Sequence, residues 1–207
     1  MTLDEIMARL TAAADPERAA KDRAANRTER ATLGVAPEVL RDLAVEVREV
    51  VSVDRRVLLG DALWRADVFD ARLLALRLVT QARIRPDAGI WNLLERWVHQ
   101  IDCRAIADAA AGAIARRLVA EPARIDVLED WIRAANVWTR RTAIAATAPW
   151  AKENHPTEMD LMVRERILGW MESMRDDARP VIRQAVDGWL RDLAKRDAAR
   201  AAAFRNG

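Results

Sequence analysis

Leu94-Glu95-Arg96-Trp97, Leu128-Glu129-Asp130-Trp131 and Ile167-Leu168-Gly169-Trp170 repeat one local pattern, a tryptophan three residues after a branched aliphatic side chain. Each copy falls late in a stretch of helical periodicity and just ahead of another such stretch, at intervals of 34 and 39 residues. Intervals of that size suit helix pairs, each burying one apolar face against the next, in an array that curves into a solenoid with a concave side. The pattern predicts an all-α fold, a HEAT-like α-solenoid of stacked antiparallel helix pairs.

The flanking sequence carries the same period. Asp4 to Leu10 opens a helix, and Pro16 stands near the first turn of a second that is expected to run through Arg30. Leu33-Gly34-Val35-Ala36-Pro37 is a break. Beyond it Leu40, Leu43, Ala44, Val47 and Val51 keep the three-and-four spacing of an amphipathic helix. Further helical segments are expected over 54–65, 69–83, 87–99, 102–119, 125–134, 137–151, 156–174 and 178–203. The turns between them are too short for domain linkers, so residues 1–207 read as a single HEAT-like helical-repeat domain.

Composition agrees with helix and excludes sheet. Of 207 residues 41 are Ala, while the aromatic load is eight Trp and two Phe without Tyr, and only seven Gly and seven Pro punctuate the chain. Strong helix formers dominate, which rules out a β sandwich or barrel. The 34 basic and 32 acidic residues leave a net charge of +2. Cys103 is the one cysteine, and with only His99 and His155 beside it neither a Cys/His zinc site nor an iron–sulfur cluster can be assembled. No metal or cofactor is expected. The lone thiol points to a reducing cytosol, and the start Met1-Thr2-Leu3-Asp4-Glu5 gives no sign of export. No apolar run approaches the roughly 18 residues of a membrane span.

Arginine outnumbers lysine 31 to 3. Genomic base composition is one reading, and a surface gripping phosphates with planar guanidinium forks is the other. From Arg179 to Arg205 seven basic residues stand against three acidic ones, making that end a candidate phosphate-facing surface. The chain lacks the phosphate-loop, dinucleotide-loop, H-E-x-x-H and G-x-S-x-G patterns. His99 reads as a surface or capping residue, and Cys103 reads as inert.

Leu33-Gly34-Val35-x-Pro37 followed by Leu40-Arg41, then Leu63-Trp64 with Phe69-Asp70-Ala71-Arg72, resembles the front half of the DNA alkylation repair enzyme family, the AlkD-like HEAT-repeat DNA glycosylases. Trp97-x-x-x-Ile101-Asp102 leading to Asp108, Trp131 leading to Val137-Trp138-Thr139-Arg140-Arg141, and Gln184-Ala185-Val186 leading to Leu190-Arg191 resemble its back half, in order and approximate spacing. The resemblance spans roughly residues 30 to 205. It implies a monomer that wraps duplex DNA containing alkylated bases in a concave groove, and a cytoplasmic, nucleoid-associated location. It also implies hydrolysis of the N-glycosidic bond of cationic N3- and N7-alkylpurines such as 3-methyladenine and 7-methylguanine, without the base flipping of most glycosylases. A positively charged purine is already a good leaving group, so one carboxylate that stabilises the oxocarbenium-like sugar and positions water is enough.

The resemblance places that catalytic carboxylate on Asp108. The helix around it permits the role: Ile106, Ala110, Ala113 and Ile114 form an apolar stripe, and Asp108 lies about 200° from Ile106 on the helical wheel. The family's phosphate-holding arginine maps onto Arg141, beyond Trp138, with Arg140 able to share the work; Arg183 and Arg191 extend the basic surface. Two tryptophans complete the family's site, and here the corresponding positions are Arg104 and Gly188, with Trp189 turned about 100° from Gly188 along its helix. Arg104 can reach Asp108 at i, i+4 and neutralise part of the field it offers a sugar cation, or it can hold a phosphate. The first outcome fits a non-catalytic DNA-binding relative that recognises damaged or distorted DNA, the second a variant glycosylase. A protein-interaction scaffold is the third use to which such a solenoid can be put.

Overall fold

The computed structural model describes residues 1–81 and 83–206, which are predominantly helical; among them the sole strand-like pairing is an isolated parallel bridge between Ala31 and Val68. The chain divides into two compact units, Met1–Arg116 and Arg117–Gly207.

The first unit contains α1 (Leu3–Ala12), α2 (Pro16–Asn26), α3 (Pro37–Val50), α4 (Val53–Arg65), α5 (Phe69–Val79), α6 (Ala88–Trp97), a 3-10 turn Val98–Gln100, and most of α7 (Arg104–Ala120). Its helix starts follow from local chemistry. Thr2 closes a capping box with Glu5, the Asp15 carboxylate accepts the N–H groups of Glu17 and Arg18, and Pro16 and Pro37 occupy the first turn, where a missing N–H costs nothing. Helix α2 stops at Arg27, whose left-handed φ of 51° ends it four residues short of the expected Arg30. Helix α3 buries Leu40, Leu43, Ala44 and Val47, the stripe its spacing predicts, and packs on α5, which also packs against α4.

Two devices fix the loop between α2 and α3. The buried Asp70 carboxylate accepts the backbone N–H groups of Leu33 at 2.7 Å and Val35 at 2.8 Å. Gly34, at φ 76°, sits so close to α2 that an added Cβ would lie 2.3 Å from the Asp15 carbonyl oxygen and 2.4 Å from the Ala19 nitrogen. No other residue type fits there. Behind the loop, Trp64 and Trp97 stack with centroids 4.6 Å apart, and the Arg72 guanidinium lies 4.3 Å over the Trp64 ring while donating to the Gln100 carbonyl at 2.9 Å and to Asp67 at 2.7 Å. Arg30 bridges Asp67 and Asp102.

The second unit contains a 3-10 turn Pro122–Val127, α8 (Leu128–Ile132), α9 (Val137–Ala146), α10 (Ala148–Lys152), α11 (Glu158–Glu172), α12 (Pro180–Ala194) and α13 (Ala198–Asn206). Helix α12 packs against α9, α10 and α13. Two helices expected to be continuous are broken. Pro149 lacks the N–H needed to extend α9, so the chain turns at Thr147 and restarts as α10. Asp197 accepts the N–H of Arg200 at 2.9 Å and so begins α13 where α12 would have run on. The repeated tryptophans are all buried, Trp97 in the first unit and Trp131 and Trp170 in the second.

Candidate functional site

Asp108 lies on α7, whose start is fixed from α2 by the Asn26 side-chain oxygen accepting the Ala105 N–H at 3.0 Å. Ile106, Ala110, Ala113 and Ile114 are buried, and Asp108 falls on the opposite, exposed side, as the helical wheel requires. Arg104, one turn earlier, donates from Nε to Asp108 Oδ2 at 3.4 Å; the two side chains are 60 % and 46 % exposed.

The carboxylate borders a cavity of about 500 Å3 in the first unit, lined by Arg41, Ala44 and Arg48 of α3, Leu73, Leu76 and Arg77 of α5, Thr80, and Asp108, Ala109 and Gly112 of α7. Apolar side chains form part of its wall, with three guanidinium groups and one carboxylate around it. Arg48 Nη1 donates to the Arg77 carbonyl at 3.4 Å and so links α3 to α5, while the Thr80 hydroxyl donates back to the Leu76 carbonyl at 2.6 Å at the end of α5. Three cations against one anion give the cavity a net positive lining. Arg41, Arg48 and Arg77 were not singled out from the sequence; they lie 31 to 67 residues before Asp108, and only packing shows that they line the same cavity.

The site residues expected in the second unit have different surroundings. Arg141 is buried at 6 % exposure, and its Nη1 donates to the Val181 carbonyl at 3.1 Å, tying α9 to α12. Trp138 and Arg140 are half-buried on the first turns of α9. Arg183 is exposed but donates to the carbonyls of Ala178 at 2.6 Å and Asp177 at 3.3 Å, while Arg191 is exposed on α12. A Cβ built at Gly188 meets nothing within 4 Å, whereas the neighbouring Trp189 is buried and donates from its indole nitrogen to the Thr147 carbonyl at 3.3 Å. Trp189 is therefore a core side chain and not a displaced site wall.

Cys103, next to Asp102, is fully buried, and burial pushes its thiol up to about 11. A thiol held neutral is a poor nucleophile. Among the described residues no group of three His, Cys, Asp or Glu side chains stands where it could hold a metal ion, and no helix is long and apolar enough to cross a membrane.

An all-helical chain of packed helices with a carboxylate bordering an arginine-lined cavity defines a helical-repeat protein. The sequence profile described as DNA alkylation repair enzyme matches residues 6–205, and the chain belongs to that family. No curated protein sequence matches it. Among solved structures, a predicted DNA alkylation repair enzyme from Enterococcus faecalis superposes with a TM-score of 0.77 at 16% identity, over 92% of this chain and 88% of that one. AlkD2 from Streptococcus mutans superposes with a TM-score of 0.64 at 16% identity, over 83% and 81% of the two chains. The protein smu.31 from Streptococcus mutans UA159 does so with 0.63 at 16% identity, over 82% and 83%. These likenesses establish a shared fold.

Proposed function

We propose that the protein releases cationic N3- or N7-alkylated purines from duplex DNA, with Asp108 as its catalytic carboxylate. One observation carries the reading: Asp108 is a half-exposed carboxylate bordering a cavity in which three guanidinium groups, from Arg41, Arg48 and Arg77, are gathered within the same unit. The arginines hold the phosphates of the lesion strand, and the carboxylate faces the deoxyribose. As the C1′–N bond breaks, its electron pair neutralises the alkylpurine and positive charge passes to the sugar, where Asp108 opposes it. Water adds to C1′ on the carboxylate side, its proton passes to Asp108 and then to solvent, and the products are a neutral base and an abasic sugar. The chemistry calls on no metal or cofactor because the substrate supplies its own positive charge.

A second reading, a DNA-binding relative that recognises damage without cleaving it, draws on the Arg104–Asp108 pair and on the bare Gly188, which together remove both aromatic walls. Base release from duplex DNA carrying 7-methylguanine or 3-methyladenine separates the two. Asp108→Asn is expected to abolish release while DNA binding persists; release that survives this substitution unchanged overturns the assignment, and no release by the wild type favours the second reading.

A further inference from the structure

Gly112 stands in the middle of α7, a 17-residue helix in which alanine fills most of the neighbouring positions. Glycine loses more conformational freedom in a helix interior than any other residue, and alanine is the better helix former. Packing does not ask for it. Beyond its own helix, no described protein atom lies within 4 Å of where a Cβ would stand, and the position is exposed. Gly34, where the backbone of α2 forbids a Cβ, is the opposite case.

The place of Gly112 relative to Asp108 is specific. Four residues on, it shares the carboxylate's face about 6 Å further along the axis. Helical side chains lean towards the N-terminus, so a side chain at 112 would lie across the turn that presents Asp108. Arg104 already covers the opposite flank, at 3.4 Å from Oδ2. The stretch of α7 that borders the cavity is Asp108, Ala109 and Gly112, the turn on the bare side of the carboxylate. Ala44, Leu73 and Leu76 line the same cavity from α3 and α5 beside the three arginines, a wall that suits a sugar ring set between charged groups.

We propose that the target deoxyribose reaches Asp108 from the Gly112 side and seats against the bare backbone of α7, so that Gly112 determines access to the carboxylate. This rests on the reading of Asp108 as the carboxylate that faces the sugar. Gly112 makes and breaks no bond; it sets how closely C1′ approaches Asp108, and reaction rates are sensitive to displacements of an ångström.

The test compares the full chain with Gly112→Ala and Gly112→Leu, each of which puts a stronger helix former at an exposed position and so keeps the fold. Urea midpoints are measured first and are expected to rise. Affinity is then measured for two duplexes, one carrying a protonated pyrrolidine in place of a single nucleoside and the other a neutral tetrahydrofuran. Their ratio reads the contact between the carboxylate and a sugar-sized cation without turnover. Single-turnover release from a 7-methylguanine duplex at saturating enzyme is followed in parallel. The wild type is expected to prefer the cation, Gly112→Ala to weaken that preference and Gly112→Leu to abolish it, with release slowed roughly tenfold and about a hundredfold respectively. Preference and release that are both unchanged in the two variants overturn the Gly112 approach and leave the Asp108 reading standing. A wild type that prefers the cation but releases no base, with the preference lost in Gly112→Leu, keeps the approach and removes the cleavage. Neither preference nor release in the wild type overturns both. A lower urea midpoint for Gly112→Ala shows that the space is not open and overturns the Gly112 approach by itself.

Discussion

Removing the charge of Arg104 should accelerate base release. Its Nε stands 3.4 Å from Asp108, so a sugar touching that carboxylate lies roughly 6 to 7 Å from the guanidinium. With both side chains about half exposed, an effective dielectric near 40 gives a repulsion of about 1.3 kcal/mol against a cation on the sugar but already about 0.9 kcal/mol while the charge sits on the purine roughly 3 Å further off, so the step is slowed by about 0.4 kcal/mol, or roughly twofold. Arg104→Ala is therefore expected to raise the single-turnover rate about twofold, with enzyme in excess so that chemistry and not product release is observed. The pair itself is exposed and worth only about 0.3–0.5 kcal/mol, so the melting temperature should hardly move. Raising the salt should shrink the gain, because screening already does part of what the substitution does. A rate that stays level or drops, together with weaker duplex binding, refutes the argument and makes Arg104 a phosphate ligand. Arg104→Trp should exceed the alanine variant if a wall against the sugar matters as well as the charge.

Asp70→Asn leaves one of two buried N–H groups facing an amide donor, and about 2–4 kcal/mol of unfolding free energy is expected to disappear in a urea titration; a loss below about 1 kcal/mol contradicts the account of that loop. Gly188→Trp projects into open space from within a helix and should leave stability unchanged or raise it by about 0.5 kcal/mol, so a clear drop in melting temperature contradicts the geometry. At pH 8 Cys103 should react with a thiol reagent only as fast as the chain opens. Because its thiol rises from 9.0 to about 11 on folding, its contribution to stability is present below pH 9 and lost as the pH climbs towards 11, which denaturant midpoints across that range measure.

Helix starts were readable because they depend on a few adjacent atoms: Pro16, Pro37 and the apolar spacing after Pro37 give α2 and α3 without reference to the rest of the chain. Helix ends were less so. The break at Thr147 depends on one imino acid and that at Asp197 on a side chain capping the next helix, and in each case a helical period continues across the break. At the site, the Arg104–Asp108 approach and the inward turn of Trp189 follow from residue spacing on one helix. The gathering of Arg41, Arg48 and Arg77 around the cavity that Asp108 borders does not, since it is made by packing among three helices. The arginine excess has an explanation that composition could not supply. Arg56, Arg72, Arg117, Arg141 and Arg164 are buried, and Arg72 and Arg164 hold backbone carbonyls inside the fold, so part of the excess is architectural.

The backbone approach at Gly34 sets a constraint on descent. Any side chain there collides with Asp15 and Ala19 whatever chemistry the protein performs, so selection for folding alone purges replacements at this codon. Positions 104 and 108 are exposed and position 188 has open space beside it, so none carries that folding constraint, and under the proposed function all three are held by the reaction. A lineage that has abandoned base release should let those three drift while the glycine persists, and one that still depends on the reaction should hold Asp108 as firmly as Gly34. The ratio of substitution between the two sets thus reads out, from genomes alone, whether selection on this branch acts on the reaction or only on the shape.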